Sequence, residues 1–221
     1  MDAWHITWFT TGAAALATVL MLPPGLLLAW VLARGQFRGR VLLETIVSLP
    51  LVMPPVATGL VLLMLLAPRG PIGRVLERAG VEVVFTWKAV VLAMTVMGLP
   101  LLVRTVKAGI EQVDRRYEAA AATLGAGPLR VFCTITLPLA RPAVVAGSVL
   151  GFARAIGEFG ATIMIAGSIP GSTRTLAVGI YSLAETGREH EAAVLVVISA
   201  AIAFLALWLA NWMSSRAGVH A

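Results

Sequence analysis

Several kinds of residue are scarce in this 221-residue chain, and each scarcity excludes something. Only 13% of positions are charged while 59% are hydrophobic, against about 25% charged in an ordinary soluble domain. That balance excludes a water-soluble core with a polar skin. Cys133 is the only cysteine, so no intramolecular disulfide can form. Lysine occurs only at Lys88 and Lys107, and no Gly-x-x-x-x-Gly-Lys-Ser/Thr phosphate loop is present. Aspartate is confined to Asp2 and Asp114, and His5, His190 and His220 are scattered without metal-ligand spacing. No Gly-x-Ser-x-Gly or histidine–glutamate zinc motif occurs either. The expectation is therefore a protein with no catalytic residues, no metal and no cofactor of its own.

What the chain does have is long apolar runs. About 20 such residues cross a hydrocarbon core, and five runs qualify, over residues 8–33, 45–67, 84–106, 142–166 and 192–214. The first carries no charge and lacks a basic stretch before it. Arg34, Arg38 and Arg40 follow it instead, which points to a retained span and not a cleaved signal. The second opens on Ser48-Leu-Pro-Leu-Val-Met-Pro-Pro55, whose prolines remove backbone donors and bend a helix. Two readings of it stand: a packing kink, or an irregular segment beside a pathway. The third is flanked by Lys88 and Arg104, whose long side chains can reach the interface. Thr175 to Ala184 is apolar but too short to cross, and suits an interfacial or re-entrant piece. The fold class expected is an all-α integral membrane protein, residues 1–221 forming one transmembrane domain.

Orientation follows from basic residues. With the N-terminus outside, the inner segments hold ten Lys and Arg residues and the outer segments six, leaving Arg154 inside a span. The excess inside agrees with the positive-inside rule, and five spans then put the C-terminus in the cytoplasm. The net charge of +6 resides in these flanks and not in a basic stripe interleaved with aromatics. Lipid is thus the expected surroundings, and nucleic acid is not a partner.

The longest inner segment, residues 107–141, is read as a cytoplasmic loop. Glu118 to Leu124 is strong helix-forming sequence, and Gly125 is a plausible stop. A second short helix is expected to begin near Pro128 and to end before Pro138. Two short helices joined by a glycine elbow make a poor catalyst and a good docking knob.

This loop resembles the one shared by membrane subunits of ABC importers, whose pattern is Glu-Ala-Ala, three residues, Gly, nine residues, Ile-x-Leu-Pro. Ala120, Ala121, Gly125, Ile135, Leu137 and Pro138 stand in register with it. The acid departs: Ala119 occupies its place and Glu118 precedes it by one residue. The resemblance extends to Gly151-Phe-Ala-Arg-Ala-Ile-Gly-Glu-Phe-Gly-Ala-Thr162 and Ile169-Pro-Gly-Ser-Thr-Arg-Thr175, which are similar to permeases of the molybdate and sulfate group. Pro170-Gly171, Thr173-Arg174-Thr175 and Ile180-Tyr181 resemble the molybdate branch more closely.

The resemblance implies the ABC-importer permease fold, with a coupling helix formed by Glu118 to Pro138 and seated in an ATP-binding partner subunit. It implies ATP bound by that partner and not by this chain, and an outer oxyanion-binding protein that delivers cargo. Five spans rarely enclose a pathway alone, so a homodimer is expected. Sulfate or thiosulfate, or tungstate, are the alternative cargoes. A channel or secondary carrier would leave the coupling loop without a purpose, and the missing catalytic constellation argues against an intramembrane enzyme.

Arg154 and Glu158 lie within the fourth run, near mid-membrane, and four residues apart on one helix face. They form either a structural ion pair or part of the anion path. Gly147, Gly151, Gly157 and Gly160 in the same run are read as close-packing positions.

Overall fold

A computed structural model describes residues 3–217; Asp2 and His220 lie outside the described residues. Among these residues there is no strand. The first apolar run forms α1 (Ala3–Arg34), and the hydroxyls of Thr7, Thr10, Thr11 and Thr18 each donate to the carbonyl four residues back. That bonding lets threonine sit in an apolar helix with no orphan donor. Ala14, Ala17, Met21, Gly25, Ala29 and Leu32 are buried at helical spacing, and α1 packs extensively on α5 (Trp87–Gln112). Helix α5 starts at Thr86, whose side chain accepts from the Lys88 N–H. It is the central helix, and its C-terminal half continues past the expected span end to Gln112, so Lys107 to Gln112 are helix.

The prolines of the second run break it. α2 (Arg40–Val52) and α3 (Pro55–Leu66) meet at 112°. Met53, preceding a proline, is extended at ψ 146°, as steric clash with the following ring requires. Short helix α4 (Gly73–Arg78) follows in the next connection. Phe85 holds a positive φ of 59°, fixed by its N–H donating to the Ile165 carbonyl at 3.0 Å.

The cytoplasmic segment forms α6 (Arg115–Thr123), α7 (Pro128–Val131), a π-helical turn (Phe132–Thr136) and α8 (Leu137–Leu139). The second limb therefore runs through Pro138 instead of ending before it. Within the π turn the Leu137 N–H reaches back five residues to the Phe132 carbonyl. Pro138 follows inside the same continuous helical limb, directly after the π turn, whose wider bonding is where the limb accommodates a residue without an N–H.

The fourth run is not one helix. α9 (Arg141–Ile156) stops at Gly157, and α10 (Gly160–Ala166) starts after a three-residue break. α9 packs closely on both α5 and α1: a Cβ on Gly147 would lie 3.2 Å from the Leu102 carbonyl oxygen of α5, and one on Gly151 would lie 2.9 Å from the Met21 sulfur of α1. Gly160 meets the Pro55 ring at 2.7 Å in the same sense. These three are packing positions. Gly157 is not, since its nearest neighbours are backbone oxygens at ordinary distance, and it closes α9 instead. α11 (Leu176–Glu185) is the short apolar piece, and α12 (Glu189–Ala217) is the last long helix. α1, α5 and α12 are each long and apolar enough to cross a membrane. The bent pairs α2 with α3, and α7–α8 with α9, bring the number to five if each counts as one span.

Candidate functional site

Two groups of residues are candidates for function, one on a projecting segment and one buried. The first is the cytoplasmic limb pair. α6 begins at Asp114, whose carboxylate accepts from the Arg116 N–H at 2.9 Å, a standard N-cap. It ends at Leu124, and Gly125 turns the chain at φ +83°, a left-handed conformation that glycine adopts without strain. The Ala126 N–H closes the elbow on the Ala121 carbonyl. α6 buries none of its residues. Ala120 is exposed and Ala121 half-buried, so the alanine face is open to close approach. Leu124 is 89% exposed, with Leu129, Tyr117 and Leu139 also outward. Arg115, Arg116 and Arg130 on the same two limbs are exposed as well. The second limb is better anchored. Phe132 is buried against Trp30 of α1 at 4.9 Å between ring centres, Ile135 and Leu137 are half-buried, and Pro138 faces out.

Glu118 departs from the exposed face. Its carboxylate accepts from Arg34 Nε at 3.0–3.1 Å and from the Thr136 hydroxyl at 2.6 Å. The Ile-x-Leu-Pro pattern leaves the position of Thr136 open, and Arg34 is 84 residues away from Glu118. No spacing in the sequence could have signalled this contact. Farther along the same face, Lys107 of α5 pairs with Glu44 of α2. Hydrogen bonding from Lys107 holds the Glu44 carboxyl below its usual range, with Arg40 and Arg104 adding to the effect against partial burial.

The second group lies at the other end of α9, about 24 Å away by the helical rise. Arg154 Nη1 sits 2.7 Å from Glu158 Oε2, and Glu158 is only 1% exposed. This contact is ionic and off hydrogen-bond alignment, since the same oxygen has no hydrogen-bond partner. The other oxygen accepts from the Ala161 N–H at 2.7 Å and so caps α10. The carboxylate thus joins the end of α9 to the start of α10 across the break. That break abuts the proline break: the contact of Gly160 with Pro55 and Val56, and that of Gly59 with Ala161, seat α10 against α3. Thr58 and Thr162 lie in this seam, buried, with hydroxyls that have no protein partner. Sequence reasoning missed both, because an isolated threonine in an apolar run carries no pattern. Irregular backbone in a membrane is tolerated where protein buries it or where it lines a wet cavity, and here each break covers the other.

An all-helical body with two broken helices and a projecting two-limbed loop defines the class of multi-span membrane protein to which the chain conforms. The fold is similar to that of the MetNI methionine ABC transporter in its inward-facing conformations, with TM-score 0.69, 19% identity, and coverage of 97% of this chain and 93% of that one. It is also similar to a bacterial ABC transporter that imports the acidic polysaccharide alginate, with TM-score 0.68, 18% identity, and coverage of 98% and 80%. Residues 25–219 match the family of binding-protein-dependent transport system inner membrane components, and the chain belongs to that family.

Within it, the chain is 45% identical over 213 residues to the molybdenum transport system permease protein ModB of Escherichia coli K12, covering 96% of this chain and 93% of that protein. It is 46% identical to ModB of Mycobacterium tuberculosis over 87% of this chain and 74% of the relative. The sulfate transport system permease protein CysT of Escherichia coli is 38% identical over 88% and 70%. These relatives are transport permeases and not enzymes, and the chain is a multi-pass inner-membrane subunit of an ABC importer.

Proposed function

We propose that this chain is the permease subunit of an ATP-driven importer that carries molybdate across the inner membrane. The single observation that supports this cargo most is the 45% identity, sustained over nearly the whole length, to a molybdenum permease. The lower identity to a sulfate permease makes sulfate the second reading. Two copies of the chain form the pathway. Each docks one ATP-binding subunit through the limb pair, with Ala120, Ala121 and Gly125 allowing close approach and Ile135, Leu137 and Pro138 shaping the second limb. An outer oxyanion-binding protein delivers the anion. The N-terminus lies outside and the C-terminus in the cytoplasm, as the basic flanks favour. One transmembrane domain over residues 1–221 is made of five spans, two of them bent, and the segment 107–141, from the end of α5 to the start of α9, faces the cytoplasm.

Arg154 and Glu158 serve this machine as a structural ion pair that holds the α9–α10 break. The cap on Ala161 and the near-complete burial of the carboxylate support that role over a site for the anion. A lone arginine neutralised by a carboxylate would attract a dianion weakly. The cargo is tested by competition for uptake into vesicles holding the assembled transporter. Inhibition by tungstate and indifference to excess sulfate is the expected result, and strong inhibition by sulfate would move the cargo to sulfate.

A further inference from the structure

Docking explains the exposed face of α6 but not what holds that helix in place. No residue of α6 is fully buried, and its backbone links to the rest of the chain are a short turn after α5 and the glycine elbow. A knob on two hinges would swivel under load and transmit nothing. The second limb has the Trp30–Phe132 contact; α6 has no such apolar anchor.

What α6 has is Glu118. Its carboxylate takes Arg34 Nε and the Thr136 hydroxyl, while Arg34 Nη2 donates to the Val113 carbonyl at 2.9 Å. Arg34 is the last residue of α1, Val113 closes α5, and Thr136 ends the π turn. Two side chains therefore tie four segments at one point. The pair is largely covered, with the side chains 14% and 17% exposed, so screening by water is weaker than at the surface. Charge-assisted bonds of this kind are about twice as strong as neutral ones. Both hydrogen bonds fall on Oε1, and Oε2 lies 3.0 Å from the Arg34 Nε, so the carboxylate is turned toward its own chain.

We propose that Arg34, Glu118 and Thr136 form a positioning latch that fixes the docking helix to the inner ends of α1 and α5, so that movement of the ATP-binding partner reaches the spans. This rests on the docking reading above. Arg34 and Thr136 act through Glu118 and touch neither partner nor cargo. Loss of the latch leaves docking in place and lets the loop yield, so that ATP is spent without transport.

The test uses the full transporter in vesicles, with molybdate uptake and ATP hydrolysis measured together, and co-purification of the ATP-binding subunit measured separately. Arg34→Gln and Thr136→Val are expected to keep co-purification while uptake per ATP falls roughly tenfold. Thr136→Ser is expected to restore the ratio, as is the exchange Arg34→Glu with Glu118→Arg. An unchanged ratio in Arg34→Gln or Thr136→Val overturns the latch. So does loss of co-purification in Glu118→Gln with retention in Arg34→Gln, which would make Glu118 a partner contact. Leu124→Asp separates the two claims: unaltered co-purification there would sink the docking reading itself.

Discussion

Truncating Leu124 to alanine is expected to weaken binding of the ATP-binding subunit without weakening the chain. The side chain is 89% exposed at the tip of the elbow, so in the free chain it contributes almost no packing. A surface change of that kind stays within about 0.5 kcal/mol. Docking into a cleft would cover nearly all of it. Leucine to alanine removes three carbons, at about 0.8 kcal/mol for each methylene-sized group. Discounted for the fraction already covered, the loss is about 2 kcal/mol, or roughly thirtyfold in the dissociation constant. The assay is a titration of the purified ATP-binding subunit onto the detergent-solubilised chain, with melting of the chain alone as control. A dissociation constant within twofold of the parent, with unchanged melting, would refute the docking role of the elbow.

Three more expectations follow from the geometry. Glu158→Gln leaves Arg154 facing a neutral group in the membrane, and should cost about 2–3 kcal/mol of stability; melting in detergent reports it, and recovery is expected when Arg154→Met is added. Gly59→Val should force α3 off α10, because its Cβ would lie 2.7 Å from the Ala161 Cα and carbonyl oxygen. A loss of about 1–3 kcal/mol is expected, and an unperturbed melting curve would contradict the packing described. For Glu44, whose folded pKa is lowered by Lys107, the stabilisation is complete above the ordinary carboxylate pKa and is lost as pH falls through the lowered value. Melting of the parent and of Lys107→Met should therefore differ at neutral pH and converge in acid; a gap independent of pH would contradict the assignment.

Much of the fold was legible because membrane chains advertise it. Runs that lipid must surround have to be long and apolar, and α1, α5 and α12 answer to three of them. Of the prolines in the second run, Pro54 and Pro55 mark the break, where the chain turns extended before a new helix starts, whereas Pro50 stays inside α2 just as Pro23 and Pro24 stay inside α1. The second break was written in Gly157-Glu158-Phe159-Gly160, yet apolar sequence on both sides masked it as one long span. A helix end needs only a capping acceptor and a glycine, and those do not interrupt hydropathy. The loop was legible down to its glycine elbow, because spacing fixes local turns. Its latch was not, because Arg34 and Glu118 meet only through the packing of α1 on α5. Likewise the seam holding Thr58 and Thr162 exists only where two separate breaks meet.

The most direct test of the account is molybdate uptake by vesicles containing this chain, its ATP-binding subunit and the outer oxyanion-binding protein, with each component and ATP omitted in turn. The account predicts accumulation only when all three proteins and hydrolysable ATP are present. Flux through this chain alone, driven by a gradient and indifferent to ATP, would contradict it.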